Sequence, residues 1–323
     1  MSILQKSAST ILSFFRLIRI PNLLIIILIQ LLLRYGIQKP FLFAKDPALM
    51  SGTLEFLLLM GITVLIAMGG YVINDYFDVR IDELNKPERN VVGKKFTPGA
   101  IMNIYMVITA LAVLCGFYLA YRLKSLTFGL VFPFIAGLLW FYSERYKKML
   151  VRGNVIVAVL SALVILIVWY FEFLHLRLDP VKFSKIILGM KDANLFFVFY
   201  ALFAFLCSLF REVIKDMEDI EGDRAYGCNT VPIVFGIKNA KLIVAALVAL
   251  TVILLGFGQA NLSSRGYTLV FWYFSAVVQL PLLILLYRVF TAKEKDDYRF
   301  LSLLCKIIMV AGILSIQLLS ISL

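Results

Sequence analysis

Two short stretches of this 323-residue chain carry a pattern of acids able to do chemistry: GGYVINDYFDVRIDELNKPERN, beginning near residue 69, and LFREVIKDMEDIEGDRAYGCNT, beginning near residue 209. Aspartates stand at Asp75, Asp78 and Asp82 in the first and at Asp216, Asp219 and Asp223 in the second, each set with the spacing i, i+3, i+7. At about 3.6 residues per helical turn, such positions project from one face, so each segment can present a comb of carboxylates. Like charges at close range disfavour joint ionisation, so these combs call for cations. Oxygen ligands without histidine or cysteine select a hard metal. Magnesium commonly takes one or two carboxylates and completes its octahedron with phosphate and water. The two combs together therefore read as half of a magnesium–diphosphate site, the ligand providing the other half, with Asn74 adding a neutral carbonyl oxygen that could complete a metal shell or hold an adjacent carboxylate. Taken singly, these aspartates could be ordinary solvated helix ends. Two matched copies at the ends of apolar runs point to function.

Cations accompany the acids. Lys86 and Arg89 follow the first comb, Arg211 and Lys215 flank the second, and Arg145, Lys147, Lys148 and Arg152 cluster between them in sequence. Charge that builds on a departing diphosphate is stabilised by such groups, although Lys and Arg in short loops also orient membrane spans. Arg211 and Lys215 share the comb's own helix and are the stronger candidates. The aromatic residues Tyr71, Tyr76, Trp140 and Tyr142 could offer ring faces to an allylic cation or form a membrane-interface belt.

Hydrophobic residues make up 62% of the chain and charged residues 16%, far from the balance of a soluble domain. Runs of about 20 apolar residues occur near 20–37, 54–74, 101–121, 126–142, 154–173, 194–214, 241–258, 267–288 and 300–321. The expectation is an all-α polytopic bundle of nine transmembrane helices, one domain over 1–323, in which the acidic segments 74–82 and 215–223 form a pseudo-repeat. ILSFFRLIRI before the first run predicts an interfacial helix leading into a retained span. The segment near 174–193 has room for a second interfacial helix. Lys and Arg concentrate on the side of the N-terminus and the even-numbered loops, which places that side, with both combs, in the cytoplasm facing a central cavity. The net charge of +12 suits anionic membrane lipids and phosphate-bearing substrates; no groove-reading motif indicates nucleic acid.

The four cysteines lack metal-ligand spacing and read as structural. The single histidine, His175, excludes a histidine-rich metal site or a Ser/His/Asp triad. A cation-coupled transporter is a rival class, but transporter acids lie at the membrane midplane whereas these lie at helix ends.

NDYFDVRID resembles the first signature of the UbiA prenyltransferase superfamily, Asn-Asp-x-x-Asp-x-x-x-Asp, and KDMEDIEGD resembles its second, Asp-x-x-x-Asp. Weaker likenesses are RIPN at 19–22, YSERYKK at 142–148, GN at 153–154 and TVPIVFG at 230–236. Within the superfamily the chain is most similar to the branch that adds a second geranylgeranyl chain to geranylgeranylglyceryl phosphate. The resemblance implies a geranylgeranyl diphosphate donor, a glycerol-phosphate lipid acceptor and two Mg2+ ions. Asn74, Asp78 and Asp82 would serve one ion, and Asp219 and Asp223 the other. Asp75 and Asp216 would bridge or stand behind these ligands, with Asp75 a candidate to take the acceptor's proton. Arg211 and Lys215 would contact phosphate, Tyr142, Ser143 and Lys147 would lie near the diphosphate, and Arg19 with Asn22 would line the pocket entrance. After NKPER the family's proline-rich continuation is replaced by NVVGKKFTPG, so the loop shaping the acceptor side departs from the pattern. An aromatic acceptor (hydroxybenzoate, naphthoate or homogentisate) is the alternative on the same fold.

Overall fold

The structure, a computed structural model, describes residues 11–85 and 92–321, without the Leu188 side chain. Lys86 and Arg89, expected to bind substrate, lie outside the described residues. Among those described, nine helices are long and apolar enough to cross a membrane: α1 Ile20–Leu42, α2 Thr53–Phe77, α3 Pro98–Arg122, α4 Leu126–Glu144, α5 Arg152–Arg177, α6 Pro180–Glu218, α7 Val231–Ser264, α8 Thr268–Thr291 and α9 Lys295–Ile321. All nine expected spans are present, each longer than its apolar run, because helical hydrogen bonding continues through the polar ends.

The starts of these helices follow from local chemistry. Thr97 and Ser125 cap α3 and α4 through their side-chain oxygens, and Asp179 accepts from the backbone N–H groups of Val181 and Lys182 at the head of α6, as N-cap residues do. Pro21, Pro98, Pro180 and Pro232 sit in first turns, where the missing N–H costs nothing. The segment near 174–193 is not a separate interfacial helix. After α5 ends at Arg177, the Asp179 cap and Pro180 start a helix that runs unbroken to Glu218, since no residue within it interrupts the backbone ladder. Residues 11–17 are helical as expected before the first span, but Arg19 at φ 52° separates them from α1. In α7, Gly236 at φ 80° breaks the helix after its first turn, a conformation that favours a residue without a Cβ.

The chain divides into two compact units. The first comprises residues 1–28 and 51–147. In it α2 packs against α3 and α4, over a core including Leu17, Ile18, Leu23, Val72, Ile73, Ile101 and Tyr105. Trp140 joins this core edge-on to Phe77 and tilted against Tyr105, both with centroids 5.4 Å away, and Tyr76 meets Phe77 edge-on. These rings are engaged in packing.

The second unit comprises residues 29–50 and 148–323. Here α6 is central, flanked by α5, α7 and α9. Close approach is made possible by small residues: a Cβ at Gly189 would land on the Phe41 carbonyl oxygen, and one at Gly36 would meet Ile316 at 2.5 Å. Because the obstacle at 189 is backbone, Gly189→Ala should lower stability by about 1–3 kcal/mol, the usual range for overpacking, read as a fall in melting temperature in detergent. Three of the four cysteines are buried, in keeping with packing roles.

Candidate active site

Both acidic segments share a feature that a straight comb does not have. Helix α2 ends at Phe77 and a short helix, Val79–Asn85, begins two residues later, with Asp78 at φ −91°, ψ −1° between them. Helix α6 ends at Glu218 and Ile220–Ala225 follows, with Asp219 at φ −100°, ψ 11° between. The expected continuous helical face is thus broken at the middle aspartate of each set. The backbone bonds Asp78→Asn74, Asp82→Asp78, Asp219→Lys215 and Asp223→Asp219, all 2.8–3.1 Å between N and O, keep each middle aspartate tied to both flanking helices. A carboxylate at a helix C-terminus opposes the helix dipole, and one in the first turn of the next helix is favoured by it. Asp78 and Asp219 occupy both positions at once, while Asp82 and Asp223 lie in first turns.

In the first unit, Asp78 is 7% exposed; Asn74 Nδ2 donates to its Oδ2 at 2.8 Å, and Lys147 Nζ contacts its Oδ1. Of the two roles open to Asn74, the structure displays the hold on a neighbouring carboxylate. Asp75 accepts from Arg19 Nη2 at 2.7 Å, and the Arg19 guanidinium lies 5.0 Å from the centroid of the Tyr71 ring. Burial opposes the Arg19 charge, but the charge and hydrogen bond of Asp75 more than restore it and raise the guanidinium above its ordinary value. The left-handed backbone of Arg19 is uncommon for a residue with a Cβ and tends to persist where surrounding structure holds it; here Asp75 and Tyr71 do so. Asn22 is half-buried in the first turn of α1, its N–H bonded to the Arg19 carbonyl. Tyr142 is half-buried near the end of α4. Ser143 is fully buried and its hydroxyl donates to the Leu139 carbonyl at 2.8 Å, so its donor is turned to its own helix.

In the second unit, Asp216 accepts from Asn154 Nδ2 at 2.7 Å. Val151, at φ 62°, starts α5 three residues earlier. A β-branched residue in that region is an outlier, and it delivers Asn154 onto α6. Arg211 Nη1 and Lys215 Nζ donate to Glu212 at 2.9 and 3.1 Å. Asn154 and Glu212 were not among the residues singled out from sequence as candidates. Glu212 had a signal, because it stands four residues before Asp216 and continues the comb one turn deeper into the span. Asn154 had only the short GN likeness. Removing the amide donor of the half-buried Asp216 carboxylate leaves that group undersatisfied, so Asn154→Ala should cost about 1 kcal/mol in a thermal or denaturant melt.

Among the described residues, no three carboxylate, cysteine or histidine side chains close into a metal-binding group. An oxygen-only set supplying one or two carboxylates per break fits a hard cation whose remaining ligands come from phosphate and water, and fits poorly a structural zinc site.

Fold and site together define a helical membrane protein with two acidic helix breaks, each buttressed by an amide and nearby cations. The chain belongs to the UbiA prenyltransferase family, whose model matches residues 40–308. It is an integral, multi-pass membrane protein. It is 36% identical over 201 residues to the digeranylgeranylglyceryl phosphate synthase of Methanothermobacter thermautotrophicus, a match covering 62% of this chain and 63% of that relative, just under two thirds of its length. A solved structure reported for digeranylgeranylglyceryl phosphate synthase in membranes aligns with a TM-score of 0.60 at 23% identity, covering 98% of this chain and 100% of that one. A UbiA homolog from Archaeoglobus fulgidus bound to DMAPP and Mg2+ aligns at 0.54 with 14% identity, over 94% of this chain and 99% of that one. At these identities the structural likenesses establish the fold.

Proposed function

We propose that this chain is a magnesium-dependent prenyltransferase that moves a geranylgeranyl group from its diphosphate to the hydroxyl of geranylgeranylglyceryl phosphate, forming an ether lipid. The observation that carries this reading is the 36% identity to a synthase of that name, in a chain whose two acidic helix breaks have a donor set suited to magnesium. The solved homolog bound to DMAPP and Mg2+ supports the metal and the class of donor.

Asn74, Asp78 and Asp82 would hold one magnesium ion, and Asp219 and Asp223 a second. Magnesium, when bound, neutralises diphosphate charge and makes it a better leaving group. Arg211 and Lys215 bind diphosphate oxygens and meet the charge that builds as the C1–O bond breaks. Lys147, with Tyr142 and Ser143 close to it in sequence, serves the donor side near Asp78, and Asp216, fixed by Asn154, orients the second comb. Arg19 and Asn22 line the entrance; Arg19 also fixes Asp75, which takes the acceptor's proton. The acceptor oxygen forms the new bond to C1, and diphosphate leaves with the C1–O electron pair. Lipid-facing apolar helices exclude water, which would otherwise trap the allylic cation. The excess of Lys and Arg on the comb-bearing loops supports a cytoplasmic location for these segments and the N-terminus.

The test is an acceptor panel with labelled geranylgeranyl diphosphate and magnesium. The reading predicts label in a two-chain glycerol-phosphate lipid; label instead in a hydroxybenzoate, naphthoate or homogentisate would replace the lipid acceptor with an aromatic one.

A further inference from the structure

The second comb does not begin at Asp216. Glu212, Asp216, Asp219 and Asp223 follow the spacing i, i+4, i+7, i+11, so Glu212 lies on the comb's face one turn deeper. The equivalent place in the first comb, four residues before Asp75, is Tyr71. Glu212 is 7% exposed and accepts from two cations on its own helix. Arg211 Nη1 is 2.9 Å from its Oε1, and Lys215 Nζ is 3.1 Å from its Oε2 and 3.4 Å from its Oε1. A lone carboxylate in a bilayer-spanning segment is costly, which accounts for why Glu212 is paired. It does not account for both cations converging on it while Lys215 keeps 31% of its side chain exposed.

We infer that Glu212 is a positioning residue that acts as an internal rival to diphosphate: it aligns Arg211 and Lys215 and competes for their N–H donors, so that diphosphate binds less tightly and leaves more readily. This rests on the reading above, in which Arg211 and Lys215 contact the donor's diphosphate. A carboxylate and a phosphate present similar oxygen acceptors to guanidinium and ammonium groups. The same donors therefore cannot satisfy both fully. Removing the rival's charge while keeping its shape frees the cations for the incoming anion.

The test measures binding of inorganic pyrophosphate with magnesium to the full chain in detergent, by calorimetry and by inhibition of prenyl transfer, for the wild type and Glu212→Gln. The inference predicts pyrophosphate binding about tenfold tighter in the variant, the scale of one charge-assisted hydrogen bond, with a lower inhibition constant and a lower kcat as release slows. A lesion that only disturbed structure would weaken binding. Glu212→Asp, which keeps the charge but shortens its reach, should fall between the two and serves if Glu212→Gln does not fold. Unchanged or weaker pyrophosphate binding in the variants, with a wild type that binds it, overturns this inference alone. A wild type that binds no pyrophosphate and transfers no prenyl group overturns the proposed function and the inference with it.

Discussion

Asp78→Ala and Asp219→Ala should each reduce prenyl transfer by roughly a thousandfold or more, the scale of losing a preorganised electrostatic group at a reacting centre, with the fold retained. Asp78 and Asp219 are the residues at which α2 and α6 give way to short helices, and the dipoles of the preceding and following helices act on each in opposite senses. For Asp78, removal also releases Lys147 and Asn74 from their shared partner. Leaving these donors without their acceptor costs about 1–3 kcal/mol, so melting temperature should fall modestly while activity falls by orders of magnitude. The measurement is labelled-lipid formation under saturating magnesium, with a melt on the same preparation. An equal loss of both would mean that the aspartates act as struts. Asp75→Ala should behave differently, because Asp75 is held by Arg19: its loss frees a cation on the Tyr71 ring and removes the proposed proton acceptor.

The largest stability effect should come from a part of the molecule remote in sequence from either comb. Arg34 and Glu172 are both fully buried in the second unit, with Nη1 and Oε2 3.6 Å apart. Arg34 stands in the π-helical segment Leu33–Gln38 of α1, which also places Gln38 Nε2 against the Val168 carbonyl at 3.1 Å on the same helix as Glu172. The wider turn of a π segment is often found where a special side-chain placement is required, and here it accompanies two polar contacts to α5. Removing one member takes the counter-ion from a fully buried charge, so Glu172→Leu should cost about 3–5 kcal/mol. The double replacement Arg34→Leu with Glu172→Leu should recover most of that loss, because no buried charge remains. Thermal melts of the two single variants and the double variant in one detergent give the coupling directly. A double variant as unstable as the singles would show that the pair holds α1 to α5 through more than mutual neutralisation.

What could be read from sequence follows from how local each signal is. Apolar runs report membrane spans by length alone, and all nine were legible; their ends were not, because polar residues such as Lys39 and Lys295 continue the helices by backbone bonding. The 174–193 segment looked like a separate element because its charges interrupt the apolar run, whereas Asp179 and Pro180 in fact start α6. The aspartate spacing was legible, but the break at the middle acid was not. Periodicity describes a straight helix, and nothing in NDYFD or KDMED forbids one. Asn154, bonded to an acid 62 residues away in sequence, depends on tertiary packing that no local pattern reports. Arg34 and Glu172 were not singled out from sequence, and their pairing emerges only when α1 and α5 are placed side by side.

The central claim is that each acidic helix break holds a divalent cation in the presence of a diphosphate. Manganese substitutes for magnesium and is read by electron paramagnetic resonance, so the direct measurement is Mn2+ stoichiometry on the full chain with pyrophosphate, for the wild type, Asp78→Ala and Asp219→Ala. The account predicts two bound ions in the wild type and one in each variant. Undiminished stoichiometry in both variants, or no bound manganese in the wild type, would contradict it.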